Sequence, residues 1–242
     1  MIKPKLSRRA EQLSPFHVMD ILAQAKALSK QGRSICHMEV GEPDFSTAQP
    51  IIDAGIVALE QYTTHYTPAL GLPELREEIA AYYERKFSLE IDPRRVIVTP
   101  GASGALQLAM LCLLDAGDNV LLADPGYPCN RNIARVLAAD AVTVPVSAEN
   151  YYQLDARSVA QHWNNRTRVA MVASPSNPTG TILPREQLQS LCQLVEKKQG
   201  RVIVDEIYQG LVYEEQEYTA LSVSDECFVI NSFSKYFGMT GW

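Results

Sequence analysis

A chain of 242 residues, 46% hydrophobic and 21% charged, has ordinary globular composition and is long enough to bury a sizeable core, which excludes a disordered chain. Its 22 basic residues against 28 acidic ones leave a formal charge of −6, so there is no electrostatic case for a nucleic-acid or anionic-lipid partner. Five scattered cysteines (Cys36, Cys112, Cys129, Cys192, Cys227) without a C-x-x-C pair argue against a disulfide framework or a metal site and for the cytoplasm.

The basic start (Lys3, Lys5, Arg8, Arg9) leads into Ala-Glu-Gln instead of an apolar segment, so no signal peptide is read there. Ser14 and Pro15 read as N-cap and first residue of a helix running to about Ser29, with Gly32 placed to end it. Helices are predicted over Pro50–Tyr62 and over Pro73–Phe87, where Leu75, Ile79, Tyr82 and Tyr83 recur at helical spacing. The rhythm then changes. Apolar runs at Val96–Thr99, Val120–Ala123, Val142–Val146, Val169–Ala173, Val202–Val204 and Phe228–Ile230 read as strands. Between them stand helical patterns at Ser103–Leu114, Asn130–Leu137, Asp155–Trp163 and Pro184–Lys198. The longest uncharged apolar stretch, Gly101–Leu114, is too short to span a bilayer, so no membrane partner is expected. Continuous apolar strands alternating with helices predict an α/β fold of three layers, α/β/α, around a mostly parallel sheet. In such sheets ligands bind beyond the carboxyl ends of the strands.

Polar or Gly/Pro-rich sequence follows each of those ends. Pro100-Gly101-Ala102-Ser103-Gly104 leads into a helix, where backbone amides and the Ser103 hydroxyl can close on an anion. Tyr127 stands between Pro125 and Pro128, able to lie flat against a planar ring. Asn177 lies in Ser174-Pro175-Ser176-Asn177-Pro178-Thr179-Gly180, whose prolines stiffen a loop that presents one amide. Asp205 ends a Val-Ile-Val run, where a buried carboxylate needs a cationic partner. Lys235, in Asn231-Ser232-Phe233-Ser234-Lys235, is either a solvated side chain or a nucleophilic amine. Singly, the loops also read as ordinary turns. Together they ask for a ligand with a phosphate, a flat ring, a phenol-like oxygen, a protonated ring nitrogen and an aldehyde; pyridoxal 5′-phosphate (PLP) has all five.

At this point the chain resembles the fold-type I, PLP-dependent aminotransferases of class I and II. The resemblance runs from about residue 14 to Trp242. It is carried by Gly41-Glu42-Pro43-Asp44-Phe45, Tyr66-Thr67-Pro68, Gly71-Leu72-Pro73-Glu74-Leu75-Arg76, Pro100–Leu106, Pro125-Gly126-Tyr127-Pro128, Ser174–Gly180, Asp205-Glu206-Ile207-Tyr208, Ser232-Phe233-Ser234-Lys235 and Gly238-Met239-Thr240-Gly241-Trp242. It implies an enzyme that moves an α-amino group between an amino acid and a 2-oxo acid through a Schiff base on Lys235, which also shuttles the proton. It implies that Asp205 pairs with the pyridine nitrogen, that Tyr208 and Asn177 bond the ring oxygen, and that Tyr127 stacks on the ring. Ala102, Ser103, Ser232 and Ser234 are implied at the phosphate, and Gly41 and Asn177 near the substrate. Tyr66 is similar to a tyrosine that reaches the neighbouring subunit's cofactor, implying a homodimer.

The same resemblance divides the chain into an N-terminal, substrate-facing segment, residues 1–45, and a cofactor-binding large domain, residues 46–242, incomplete at its C-terminus. The family pattern continues past Trp242 with an arginine for the phosphate, another for the substrate carboxylate, a further interior strand and most of a small domain. The chain is therefore expected to be a fragment that binds cofactor and turns over poorly. Lyases and cyclopropane-forming enzymes of the same family remain the alternative, as do an effector-sensing domain and an inactive remnant. Against the sensor stands the lack of a basic recognition helix before Gly41; against the remnant, the complete set Asn177, Asp205, Tyr208 and Lys235.

Overall fold

The computed structural model describes residues 5–242; Lys3 of the basic start lies outside them. Five strands form one sheet: β1 (Asn119–Asp124), β2 (Asp140–Pro145), β3 (Thr167–Ala173), β4 (Arg201–Asp205) and β5 (Phe228–Ile230). They lie in the order β2-β1-β3-β4-β5, and every neighbouring pair is parallel. Helices make three of the crossovers: α6 (Pro128–Val136) between β1 and β2, α7 (Ala156–His162) between β2 and β3, and α8 (Arg185–Lys197) between β3 and β4. Ahead of the sheet come α1 (Arg8–Glu11), α2 (His17–Lys30), α3 (Gln49–Glu60), α4 (Pro73–Phe87) and α5 (Gly101–Leu113).

The strands are apolar throughout because both faces are covered. Leu121, Ala170, Val172, Val202 and Val204 pack to one side with Val159 of α7 and Leu188, Leu191 and Val195 of α8. Val120, Leu122, Val169, Met171 and Ile203 pack to the other with Leu106 and Met110 of α5 and Ala134 of α6. Alternate residues of one strand thus feed two cores, and three layers result. Each fully buried Leu or Val among them stabilises the fold by about 1.5–3 kcal/mol.

Two expectations are corrected. Val96–Thr99 is extended but joins no strand: Val98 N–H donates to Leu70 O at 3.0 Å, and the Arg76 side chain takes Val96 O at 2.9 Å. The segment is held by a loop and an arginine, and Ile97 is exposed. Gly71, at φ +98°, permits this close approach, since a Cβ there would stand 2.6 Å from Val98 Cβ. Nor does Ser14 cap a helix. Helix α2 begins at His17, with Phe16 at its N-cap and no side-chain cap. The segment before it is drawn out along α6, where Asn132 Nδ2 donates to Ser14 O and Arg135 Nη1 to Gln12 O, both at 3.2 Å. Tertiary bonds override the local cap signal. The short α1 ahead of it, capped by the Ser7 side chain, went unpredicted. Helix α4 matches its predicted limits, and no helix among the described residues is long and apolar enough to cross a membrane.

Candidate active site

Strand β1 lies between β2 and β3, so successive crossovers run in opposite directions across the sheet and leave a crevice where they diverge. Tyr127 follows β1 and Asn177 follows β3, on the two walls of that crevice. The loop carrying Asn177 is pinned at both ends. Ser174 N–H donates to Asp205 O at 2.9 Å, Leu183 N–H to Ser174 Oγ at 3.0 Å, and Ser176 N–H to Thr181 O at 2.9 Å. From below, the buried Gln153 donates its amide to Ala173 O at 2.9 Å and Thr181 O at 3.2 Å. Held this way, Asn177 Nδ2 donates to Tyr208 Oη at 3.3 Å.

Asp205 ends β4 and is 8% exposed. Its Oδ1 accepts from Ile207 N–H at 3.1 Å, and no ion pair involves it among the described residues. Burial pushes its carboxyl up to about 6, the sign of a negative group short of positive partners. The Tyr208 phenol is raised first by burial and then by Asp205. Tyr127 is raised by burial, then by Cys129, with Tyr208 and Asp205 adding to the effect. Two neutral phenols and one carboxyl therefore share one neighbourhood; only Asp205 carries negative charge near neutral pH, and a cation beside it is favoured. Tyr127 is itself held by Phe16, edge to face at 5.9 Å between ring centres.

Past β5, Lys235 Nζ lies 5.9 Å from the centre of the Tyr208 ring and donates to Gly41 O at 3.3 Å. Ser232 and Ser234 share a hydroxyl hydrogen bond of 2.6 Å, and Ser234 N–H donates to Ser232 Oγ at 3.1 Å. Ala102 and Ser103 stand in the first turn of α5, whose N-cap, Pro100, gives no side-chain bond; Gly101 N–H donates to Thr99 O at 2.7 Å, and the Ala102 and Ser103 amides that follow are placed for an anion. Strand β5 packs on α5. Lys235, Tyr208, Asn177, Asp205 and Tyr127 thus converge. Tyr66 does not join them: it is fully exposed. Sequence reasoning missed Glu206, which is buried behind Asp205 and accepts from Ala220 N–H at 2.6 Å, Thr219 Oγ1 at 3.2 Å and Gln209 Nε2 at 2.8 Å. A second carboxylate directly after one on a buried strand end was the available signal.

Residues 33–242 match the family model of aminotransferase class I and II. The chain belongs to that family. Its similarity to a (5-formylfuran-3-yl)methyl phosphate transaminase of Methanocaldococcus jannaschii is 39% identity over 240 residues, covering 98% of this chain and 62% of that protein. To a valine–pyruvate aminotransferase of Mycobacterium tuberculosis it is 39% over 230 residues, covering 94% of this chain and 59% of that protein. A solved aminotransferase from Mycobacterium tuberculosis superposes with a TM-score of 0.95 at 38% identity, over 99% of this chain and 62% of the other. The aspartate aminotransferase of Thermus thermophilus with maleate gives 0.93 at 33%, over 99% and 63%. This class I and II chain thus spans less than two thirds of the length of these relatives. Members of the family depend on PLP. A buried carboxyl without a positive partner, at the mouth of the sheet, fits that cofactor's cationic ring nitrogen.

Proposed function

We propose that the protein is a PLP-dependent aminotransferase, exchanging an α-amino group between an amino acid and a 2-oxo acid. The observation that carries this reading is the uncompensated Asp205 carboxyl at the end of β4, beside a Tyr208–Asn177 pair and a Lys235 amine on loops at the sheet's carboxyl edge.

When bound, PLP supplies the electron sink that makes an amino acid's Cα–H acidic. The chain's own residues do the rest. Asp205 holds the ring nitrogen in its protonated form. Tyr208 and Asn177 hold the ring oxygen, and Tyr127 covers one face of the ring. The leading amides of α5 at Ala102 and Ser103, with the Ser232 and Ser234 hydroxyls, hold the phosphate. Lys235 holds the cofactor through its amine and moves a proton at the substrate Cα, a task worth roughly 10²–10⁴-fold in rate. Gly41 and Asn177 face the substrate. The exposure of Tyr66 suits a residue serving a partner copy's cofactor in a homodimer. We assign residues 1–45, the first four of which lie outside the described residues, to the substrate-facing segment and residues 46–242 to the cofactor-binding domain. The free cysteines suit the cytoplasm. Nothing observed favours lyase chemistry.

The test is labelling. Full-length protein loaded with PLP, reduced with borohydride and mapped by peptide should carry the pyridoxyl group on Lys235. The Lys235→Ala variant should lose transamination between an amino acid and a 2-oxo acid. A label on Lys197 or Lys198, or failure to take up PLP, overturns the reading.

A further inference from the structure

The β4–β5 ladder ends at Asp205 and Ile230, and one more backbone bond, Glu206 N–H to Ile230 O at 2.7 Å, follows it. Beyond that point the two loops that carry Asp205–Tyr208 and Ser232–Lys235 are joined by side chains alone. The geometry points to Gln209 as a positioning residue that, anchored by Glu206 and acting through Asn231, fixes the serine–lysine loop against the Asp205–Tyr208 turn. This inference rests on the phosphate role given above to Ser232 and Ser234.

Each bond in the relay has a forced direction. Glu206 is 2% exposed and Gln209 4%. Glu206 Oε1 is occupied by Ala220 N–H and Thr219 Oγ1, and its Oε2 accepts from Gln209 Nε2 at 2.8 Å. The same Nε2 reaches Tyr218 O at 3.3 Å. A flipped Gln209 amide would press its oxygen against those acceptors, so Oε1 must point the other way. It does, and accepts from Asn231 Nδ2 at 3.1 Å. Asn231 Nδ2 also donates to Tyr83 Oη at 3.3 Å. With both donors spent, Asn231 Oδ1 is left to accept from Ser232 N–H at 2.7 Å. Ser232 Oγ in turn takes Ser234 N–H and shares a proton with Ser234 Oγ.

The Tyr218 carbonyl, which can only accept, and the ionised Glu206 carboxylate beside it thus together set the orientation of every group up to the two serines. Three buried polar side chains here (Glu206, Gln209 and Thr219) cost desolvation that an apolar filling would avoid. A fully satisfied network gives one defined arrangement in return, which apolar packing does not. The serine pair is where that definition is used.

The experiment compares affinities of full-length wild type and Gln209→Met for PLP and for pyridoxal, which lacks the phosphate. Methionine keeps the volume and removes both the donor and the acceptor of the amide. Gln209→Met is expected to lower the preference for PLP over pyridoxal by about tenfold, the equivalent of one charge-assisted hydrogen bond, beyond any loss that the two compounds share through Lys235 on the same loop. A variant that is less stable but keeps the wild-type preference shows a merely structural Gln209 and overturns the inference. If Gln209→Met does not fold, Tyr83→Phe removes one acceptor of Asn231 and is expected to lower the preference about twofold to threefold; an unchanged preference overturns the inference. Wild type that binds both compounds equally instead overturns the phosphate assignment beneath it.

Discussion

Lys235 Nζ donates to the carbonyl oxygen of Gly41 at 3.3 Å, across a separation of 194 positions in the chain. The amine at the mouth of the sheet therefore rests on the segment expected to face the substrate. The contact is made to backbone, so it does not depend on the identity of the side chain at position 41.

That distinction is testable with Gly41→Ala. A Cβ at Gly41 meets nothing within 4 Å. The variant should fold within about 0.5 kcal/mol of wild type and take up PLP on Lys235 normally. A raised KM for the amino acid with unchanged PLP affinity would place the substrate against Gly41; loss of PLP binding would mean that the segment serves the cofactor instead.

Asp205 should give the cofactor-free protein a pH-dependent weakness. Its carboxyl rises from 3.8 to about 6 on burial, so the unfolded chain ionises first as pH climbs. The contribution to stability is full below pH 3.8 and is lost as pH rises through about 6, by up to about 3 kcal/mol. Glu206, raised by burial from 4.5 to about 7, adds a loss of the same sign. Asp205→Asn should remove the first part and stabilise the cofactor-free protein at pH 7, while weakening PLP binding, since breaking a buried ion pair costs about 3–5 kcal/mol. Urea unfolding across pH 4–8, with and without PLP, checks both. An Asn variant no more stable than wild type at pH 7 would mean that the carboxyl is better compensated than its surroundings indicate.

Gly210 should not tolerate a side chain. It sits at φ +94°, and a Cβ there would run into the Tyr236 ring. Gly210→Ala should cost about 2–4 kcal/mol from backbone strain and overpacking together. Denaturant midpoints measure this directly, and a cost under 0.5 kcal/mol would show that Tyr236 moves freely aside.

Complementation tests the proposed placement of Tyr66. Tyr66→Ala and Lys235→Ala should each be impaired alone. If Tyr66 serves the partner copy, mixed dimers of the two hold one intact site, and activity returns on mixing and refolding. If Tyr66 serves its own chain, every site in the mixture is damaged and mixing restores nothing.

The sequence made the sheet legible because burial on both faces writes itself as unbroken apolar runs, and Val169–Ala173 and Val202–Val204 have no other reading. The loops beyond them were legible for a different reason: prolines and glycines fix backbone locally, so Asn177 could be placed without knowing its neighbours. Val96–Thr99 misled because a β-branched run shows the capacity to pair, whereas pairing needs a second strand, and here Arg76 and Leu70 take its backbone groups. Ser14 misled because its environment is set by α6, more than a hundred residues further along the chain. The Glu206 relay stayed hidden for the same cause. Its partners Thr219, Ala220 and Asn231 are chosen by the fold, and nothing local distinguishes the carboxylate facing the site from the one turned into the core.

A sheet whose neighbours are all parallel has no hairpin from which to start. Strand β1 cannot meet β3 until α6, β2 and α7 have been laid down between them, so the search for native pairs is long and folding is slow. Tyr127, Asn177 and Lys235 sit on loops beyond three of these strands and Asp205 at the end of a fourth, and the crevice they line exists only once the search is over. A cofactor gripped there rewards the finished sheet and nothing earlier. Its kinetic signature is a longer lifetime of the folded chain, with the rate at which that chain forms left unchanged.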